Sequence, residues 1–296
     1  MVKRVKRIIK ALPFGRLLYQ HFRELSYEQR FAGECYGCFR GVFETFAQAE
    51  LSAPKTKSIG YNNPQLAEEY KVELKKNIQS YDYPVLFWLK QLINDNIKVF
   101  DFGGNVGIHF YSYEKYISYP SSLRWVVCDV PEIVKSGKEL AKKAGKDVVF
   151  TSNFEEASGA NIFIASGSVQ YVESLSASLS QLPDMPKHLL VNRLPLYEGN
   201  KFVTLQNGGK VFYPQYVFNK KDFVSSIESL GYELIDIWED LVDSCIIPFH
   251  PEKSIPFYHG LYFRLALFYH SEKNRRACVV LPHEKSSFQP SLTQER

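Results

Sequence analysis

Residues 98–110 read KVFDFGGNVGIHF. A short apolar run ends in Asp101, and Gly103, Gly104, Asn105 and Gly107 separate it from a stretch able to start a helix. Glycines at such a junction permit a tight turn and let a ligand approach the backbone closely. The helix that follows turns its free N–H groups and the positive end of its dipole toward the same place. His109 stands two residues past Gly107, in the first turn of that helix. There the helix end disfavours an imidazolium, so a lowered pKa is expected. Neutral imidazole at pH 7 can take a proton from a hydroxyl, which makes His109 the expected general base. A polar residue that caps or packs the first turn is the other reading.

The glycine spacing separates two kinds of ligand site. A dinucleotide fingerprint G-x-G-x-x-G begun at Gly103 needs glycines at 105 and 108, where the chain has Asn105 and Ile108. The pattern D-x-G-x-G-x-G is met by Asp101, Gly103 and Gly107, with Asn105 as the departure. Asparagine enters the left-handed backbone region more readily than other residues with side chains, so the departure is mild.

Positioning such a loop takes a strand before it and a helix after it, and the sequence supplies both repeatedly. From residue 97 onward, IKVFD, RWVVCD, DVVFT, NIFIAS and HLLVNR read as strands. Between them lie the helical stretches GIHFYSYEKYI, PEIVKSGKELAKKAG, FEEAS and VESLSASLSQL. This alternation predicts an α/β fold, a doubly wound, mostly parallel Rossmann-like sheet with helices on both faces. NKKDFVSSIESLG reads as a further helix leading to YELIDIW, and GLYFRLALFYH as a last, antiparallel strand. Four segments are expected: a basic amphipathic helix over 1–25, a helical cap over 26–96, the Rossmann-like domain over 97–270 and a polar tail over 271–296.

Composition bounds the partners. The chain has 296 residues, 45% hydrophobic, with a net charge of +4, too mild for a nucleic-acid binder. Lys3, Arg4, Lys6, Arg7 and Lys10 surround Val5, Ile8, Ile9 and Leu12. That pattern suits either peripheral contact of residues 1–12 with an anionic membrane or a helix docked on its own domain. No apolar run is long enough to span a bilayer, and a cytoplasmic protein is expected. The five cysteines do not make a disulfide framework. Cys35 and Cys38 form a C-x-x-C with no second ligand pair, so no metal is expected and both read as plain thiols.

Taken together, DFGGNVG, VVCDVPEIVKSG, TSNFEEA and NIFIASGSVQYVES resemble, in order, the motifs of class I S-adenosylmethionine-dependent methyltransferases. More narrowly, DVPEIV, SGSVQYV, VNRLPL, TLQNGG and YPQYVFNKKDFVSSIESLGYEL resemble a bacterial methyltransferase family encoded among surface-polysaccharide biosynthesis genes. The resemblance covers residues 35–270, with Asn105 and Asn161 as departures. It implies S-adenosyl-L-methionine as cofactor, held by Asp101, Gly103, Gly104, Asn105 and Gly107. Asp129 would sit on the ribose hydroxyls, Asn153 and Phe154 on the adenine, and Ser166 at the end of the fourth strand. Gln170, Asn192 and Arg193 then fall where an acceptor would lie, with Arg193 suited to an acidic one. Tyr171 and His259 stand behind His109 as catalytic candidates. The implied activity is O-methylation of a small molecule or saccharide intermediate. A nicotinamide-dependent oxidoreductase and a non-catalytic binding protein on the same fold are the alternatives.

Overall fold

The computed structural model describes residues 15–73 and 78–266. The basic segment 1–12, the tail 271–296 and His270 lie outside the described residues. The elements that position the site begin with β3 (Lys98–Phe102), α5 (Ile108–Tyr113), β4 (Arg124–Cys128), α6 (Pro131–Ala144), β5 (Val148–Thr151) and β6 (Ile162–Ser166). They continue with α7 (Leu175–Ser180), β7 (His188–Leu194), α8 (Lys220–Glu228), β11 (Tyr232–Asp240) and β12 (Tyr258–Leu265). These strands form a seven-stranded sheet in the order β11-β12-β7-β6-β3-β4-β5. Strands β3 to β7 run parallel, while β12 is antiparallel to both β7 and β11.

Alternation along the strands explains the two covered faces. Val99, Trp125, Val127, Ile164 and Leu190 point to one side. There they pack with Val85 and Leu89 of α4 (Asp82–Leu92), Phe110 and Tyr113 of α5, and Val134 and Ala141 of α6. Phe100, Val126, Phe163, Leu189 and Val191 point to the other, against Leu175 and Leu179 of α7 and Phe223 and Ile227 of α8. Both faces are apolar, as a sheet covered on both sides requires. The α/β reading therefore holds for this sheet.

A second sheet does not appear in that reading. Its order is β1-β9-β10-β2, from β1 (Cys38–Phe43), β2 (Ser58–Ile59), β9 (Phe202–Asn207) and β10 (Val211–Asn219), with β8 (Leu196–Tyr197) pairing β10. Segment 26–96 is thus mixed rather than a helical cap. It holds α1 (Gly15–Ala32) in part, β1, α2 (Phe46–Leu51), β2, α3 (Pro64–Glu73) and α4. Cys35 and Cys38 are joined as a disulfide, with Cα atoms 5.5 Å apart, and Arg30 Nε lies 3.2 Å from Cys35 Sγ. They are not free thiols. The short C-x-x-C loop lies at the entry to β1, where it sets Tyr36 and Gly37 at the cavity described next.

Candidate active site

A cavity of about 1220 Å³ opens where the carboxyl ends of β3, β4 and β6 face the second sheet. That is where ligands sit in open parallel sheets. Its first wall is built largely of backbone. Gly103 has φ +70, and a Cβ there would stand 2.3 Å from Ser168 Cβ, so only glycine fits. A Cβ on Gly104 would stand 2.3 Å from Asp101 Oδ2. Asn105 sits in the left-handed region at φ +60 and steadies itself there, its Oδ1 accepting from Val106 N at 2.8 Å. This accounts for asparagine where the motif has glycine.

Asn105 N donates to Asp129 Oδ2 at 2.9 Å, and Val130 N donates to Asp129 Oδ1 at 2.8 Å. Asp129 thereby joins the glycine loop to the end of β4 while bordering the cavity. Burial raises its pKa to about 6 against the lowering effect of these two bonds. Each carboxylate oxygen keeps acceptor capacity beyond its one backbone bond.

Asp101 does something other than line the cavity. It is fully buried, and its carboxylate receives His109 Nδ1 at 2.9 and 3.1 Å and Trp125 Nε1 at 3.3 Å. A carboxylate only accepts, so the His109 proton lies on Nδ1, and Nε2 is the free nitrogen of a ring that borders the cavity. The expected lowering of the His109 pKa is reversed. Burial pulls it down, but the Asp101 charge and hydrogen bond, with Asp82 further off, raise it overall. A six-residue helix offers a weak dipole beside a carboxylate in direct contact.

The other candidates divide. Gly103, Asn105, His109, Asp129, Phe154, Ser166, Gln170, Tyr171 and Arg193 border the cavity. Gly104 and Gly107 lie behind it and shape the loop. Asn153 caps the short helical turn Phe154–Ala157, its Oδ1 accepting from Glu155 N, while Ser152 takes the place at the wall. Asn192 is buried in a network with Tyr81 O, Ser166 Oγ and Trp238 Nε1. It positions Ser166 and does not face an acceptor.

His259 does not border the cavity, and burial lowers its pKa to about 4, helped by Lys220. Burial pushes the Tyr171 phenol up, so it keeps its proton and can donate but not act as a base. Arg193, with φ +57, pairs with Asp243 at 2.6 Å and lies 4.4 Å from the Tyr81 ring centre. Its charge is already answered. Among the described residues the wall also carries Glu69, Asp82 and Asp129, so an anionic acceptor is disfavoured there.

The second wall is made of side chains, among them Tyr171, a candidate from the sequence. Tyr61 stacks on Tyr213 at 4.3 Å and meets Tyr171 edge-on at 4.6 Å. Gln206, Gln215 and Tyr258 continue it, with Gln215 Nε2 donating to Tyr258 Oη at 3.1 Å. The period-two spacing of Tyr213 and Gln215 in VFYPQYVFN was the available signal. Among the described residues no group of His, Cys, Asp and Glu is arranged to hold a metal ion.

No protein-family model matches the chain, and no curated protein matches it. Among solved structures it is similar to magnesium protoporphyrin IX methyltransferase (ChlM) from Synechocystis PCC 6803 with bound SAH. The identity is 12%, over 69% of this chain and 96% of that one, with a TM-score of 0.46. A SAM-dependent methyltransferase from Aquifex aeolicus matches at 14% identity, 69% and 99% coverage, and a TM-score of 0.44. OxaC in complex with SAH and oxaline matches at 15% identity and a TM-score of 0.46. That match covers 70% of this chain and 52% of OxaC, so the chain spans about half of OxaC. These likenesses are weak, and the site's own geometry carries its reading.

Proposed function

We propose that the chain is an S-adenosylmethionine-dependent methyltransferase acting on a neutral, hydroxyl-bearing small molecule or saccharide. The observation that carries this is the clamp between Asn105 N and Asp129, which sets a half-buried carboxylate beside a glycine-built loop at the strand ends. A carboxylate in that place can accept from two neighbouring ribose hydroxyls, and Phe154 offers a ring face to adenine. Gly103, with no Cβ to strike Ser168, lets the loop close against that residue at the cavity wall. These residues fit the cofactor, which when bound supplies an electrophilic methyl group.

His109 Nε2 takes the proton of the acceptor hydroxyl, and Asp101 fixes the ring and steadies the imidazolium that forms. The tyrosine and glutamine wall holds the acceptor by ring faces and amide hydrogen bonds, both suited to an uncharged polyol. The sequence motifs support a narrower proposal, that the acceptor is a saccharide intermediate of surface-polysaccharide assembly.

Calorimetric titration with S-adenosylhomocysteine tests the reading. We expect saturable one-to-one binding, weakened at least tenfold in Asp129→Ala, given about 1.5–3 kcal/mol for each lost charge-assisted bond. Circular dichroism should be unchanged. Absence of binding to the unaltered protein, or equal affinity in the variant, overturns it.

A further inference from the structure

The molecule has a second surface whose chemistry the active site does not use. Leu17, Leu18, Phe22 and Leu25 of α1 are 66, 56, 67 and 47% exposed. At about 100° per residue they fall within an arc of about 140°, an apolar stripe that His21 also enters. Tyr27 and Phe31, which pack α1 against the second sheet, lie on a different side of the helix. The stripe is thus turned away from the protein's own core.

The protein exposes a second apolar group elsewhere. Leu241, Val242 and Ile246 are 74, 52 and 53% exposed on the connection between β11 and β12. That connection is fastened to α1. The Phe249 ring meets Tyr27 edge-on at 6.0 Å, and the Arg23 guanidinium lies 5.6 Å from the Phe249 ring centre. Val242 and Asp243 of the same connection also border the cavity, while the contact with α1 is made on the Tyr27 side of the helix, away from the stripe.

Charge tells what covers this surface. From Lys3 to Arg23 every charged residue in the sequence is basic; the first acid is Glu24. A protein partner with an apolar groove would be indifferent to that bias. A bilayer with anionic headgroups calls for both features at once, apolar side chains for the acyl boundary and cations for the headgroups. We infer that the exposed apolar stripe of α1 docks the protein on an anionic lipid surface.

The test is sedimentation of the full chain with vesicles. One set is phosphatidylcholine alone; the other contains about 30 mol % phosphatidylserine, at about 0.1 M salt. Co-sedimentation on the anionic set at least tenfold above the neutral set is expected. Leu18→Ser with Phe22→Ser should lower it at least fivefold. Both positions are more than half exposed, so the fold and S-adenosylhomocysteine affinity should persist. A conservative Leu18→Ile with Phe22→Leu pair should keep binding. The inference is overturned by failure to sediment on either set, by equal sedimentation on both, or by full binding of the serine variant. It is also overturned if light scattering shows a dimer that the serine variant loses while lipid binding is nil.

Discussion

The two walls of the cavity are made of different materials. The wall at the ends of β3 and β4 is backbone: Gly103, Asn105 and the peptide N–H groups that meet Asp129. The wall from the second sheet is side chain: Tyr61, Tyr213, Gln206, Gln215 and Tyr258. A backbone wall is fixed by strand register and by positive φ, and tolerates little variation. A side-chain wall keeps its shape through many exchanges of polar for polar or ring for ring. The first therefore suits a constant ligand and the second an acceptor that selects the chemistry.

His109 belongs to neither wall alone, and altering it should have the largest effect. Loss of a general base costs roughly 10²–10⁴-fold in rate. His109→Gln should lower kcat by that factor while S-adenosylhomocysteine affinity stays within a few-fold. The pKa is raised, so the ring is protonated up to a pH above its usual 6.5. Activity should then rise with pH through a limb above 6.5, and that limb should vanish in the variant. Asp101→Asn should move the limb downward, because the charge that raises it is gone. A kcat unchanged at saturating acceptor would take His109 out of the mechanism.

The walls themselves are separated by a pair of changes with smaller effects. Gly104→Ala puts a Cβ 2.3 Å from the Asp101 carboxylate, which is buried and held by His109 and Trp125. Overpacking of this kind costs about 1–3 kcal/mol, so the denaturant midpoint should fall. The loop should shift with it, and S-adenosylhomocysteine affinity should drop roughly tenfold or more, the equivalent of about 1.4 kcal/mol. Tyr213→Phe removes one hydroxyl from a stacked ring in the other wall. It should leave S-adenosylhomocysteine affinity alone and raise only the KM of the acceptor, by a few-fold. If both changes weaken the cofactor analogue equally, the division between the walls is wrong.

The same contrast explains what the sequence made legible. Strands buried on both faces read as continuous apolar runs, and glycines between strand and helix mark themselves, so β3 to β7 and the loop were plain. The second sheet was not. Its strands come from two distant parts of the chain, with Phe39 opposite Gln206 and Cys38 opposite Asn207. Pairing over such a separation leaves no local trace. Asp101 shows a subtler limit. Its spacing to Gly103 and Gly107 marked it as part of the cofactor loop, which it supports, but its partners His109 and Trp125 come from α5 and β4. Direct contact between Asp101 and His109 then outweighed the helix-end argument for the imidazole pKa. Asn192 and His259 failed because strand position alone does not tell which side of a strand a residue faces.

The pH dependence of Asp129 is the most diagnostic of the backbone wall. Asp129 has a pKa raised to about 6 from 3.8, chiefly by burial. A carboxyl raised on folding binds its proton more tightly in the folded chain than in the unfolded one. Its contribution to stability is fully present below 3.8 and is lost as pH rises through about 6. Ligand binding runs the other way. Ribose hydroxyls donate, so they need the ionised carboxylate, and the affinity it supports is present above about 6 and lost below. Between pH 6 and 4, S-adenosylhomocysteine affinity should fall by up to about tenfold per unit, since one proton must be given up on binding. Over the same interval the Asp129 contribution to the stability of the free protein should grow. Asp129→Asn removes both slopes while keeping the side chain's shape. Titrations at several pH values, paired with denaturant unfolding of the free protein, measure the two trends together. Affinity that is flat from pH 7 to 4.5 in the unaltered protein would mean that Asp129 only ties the loop to β4 and never meets the ligand.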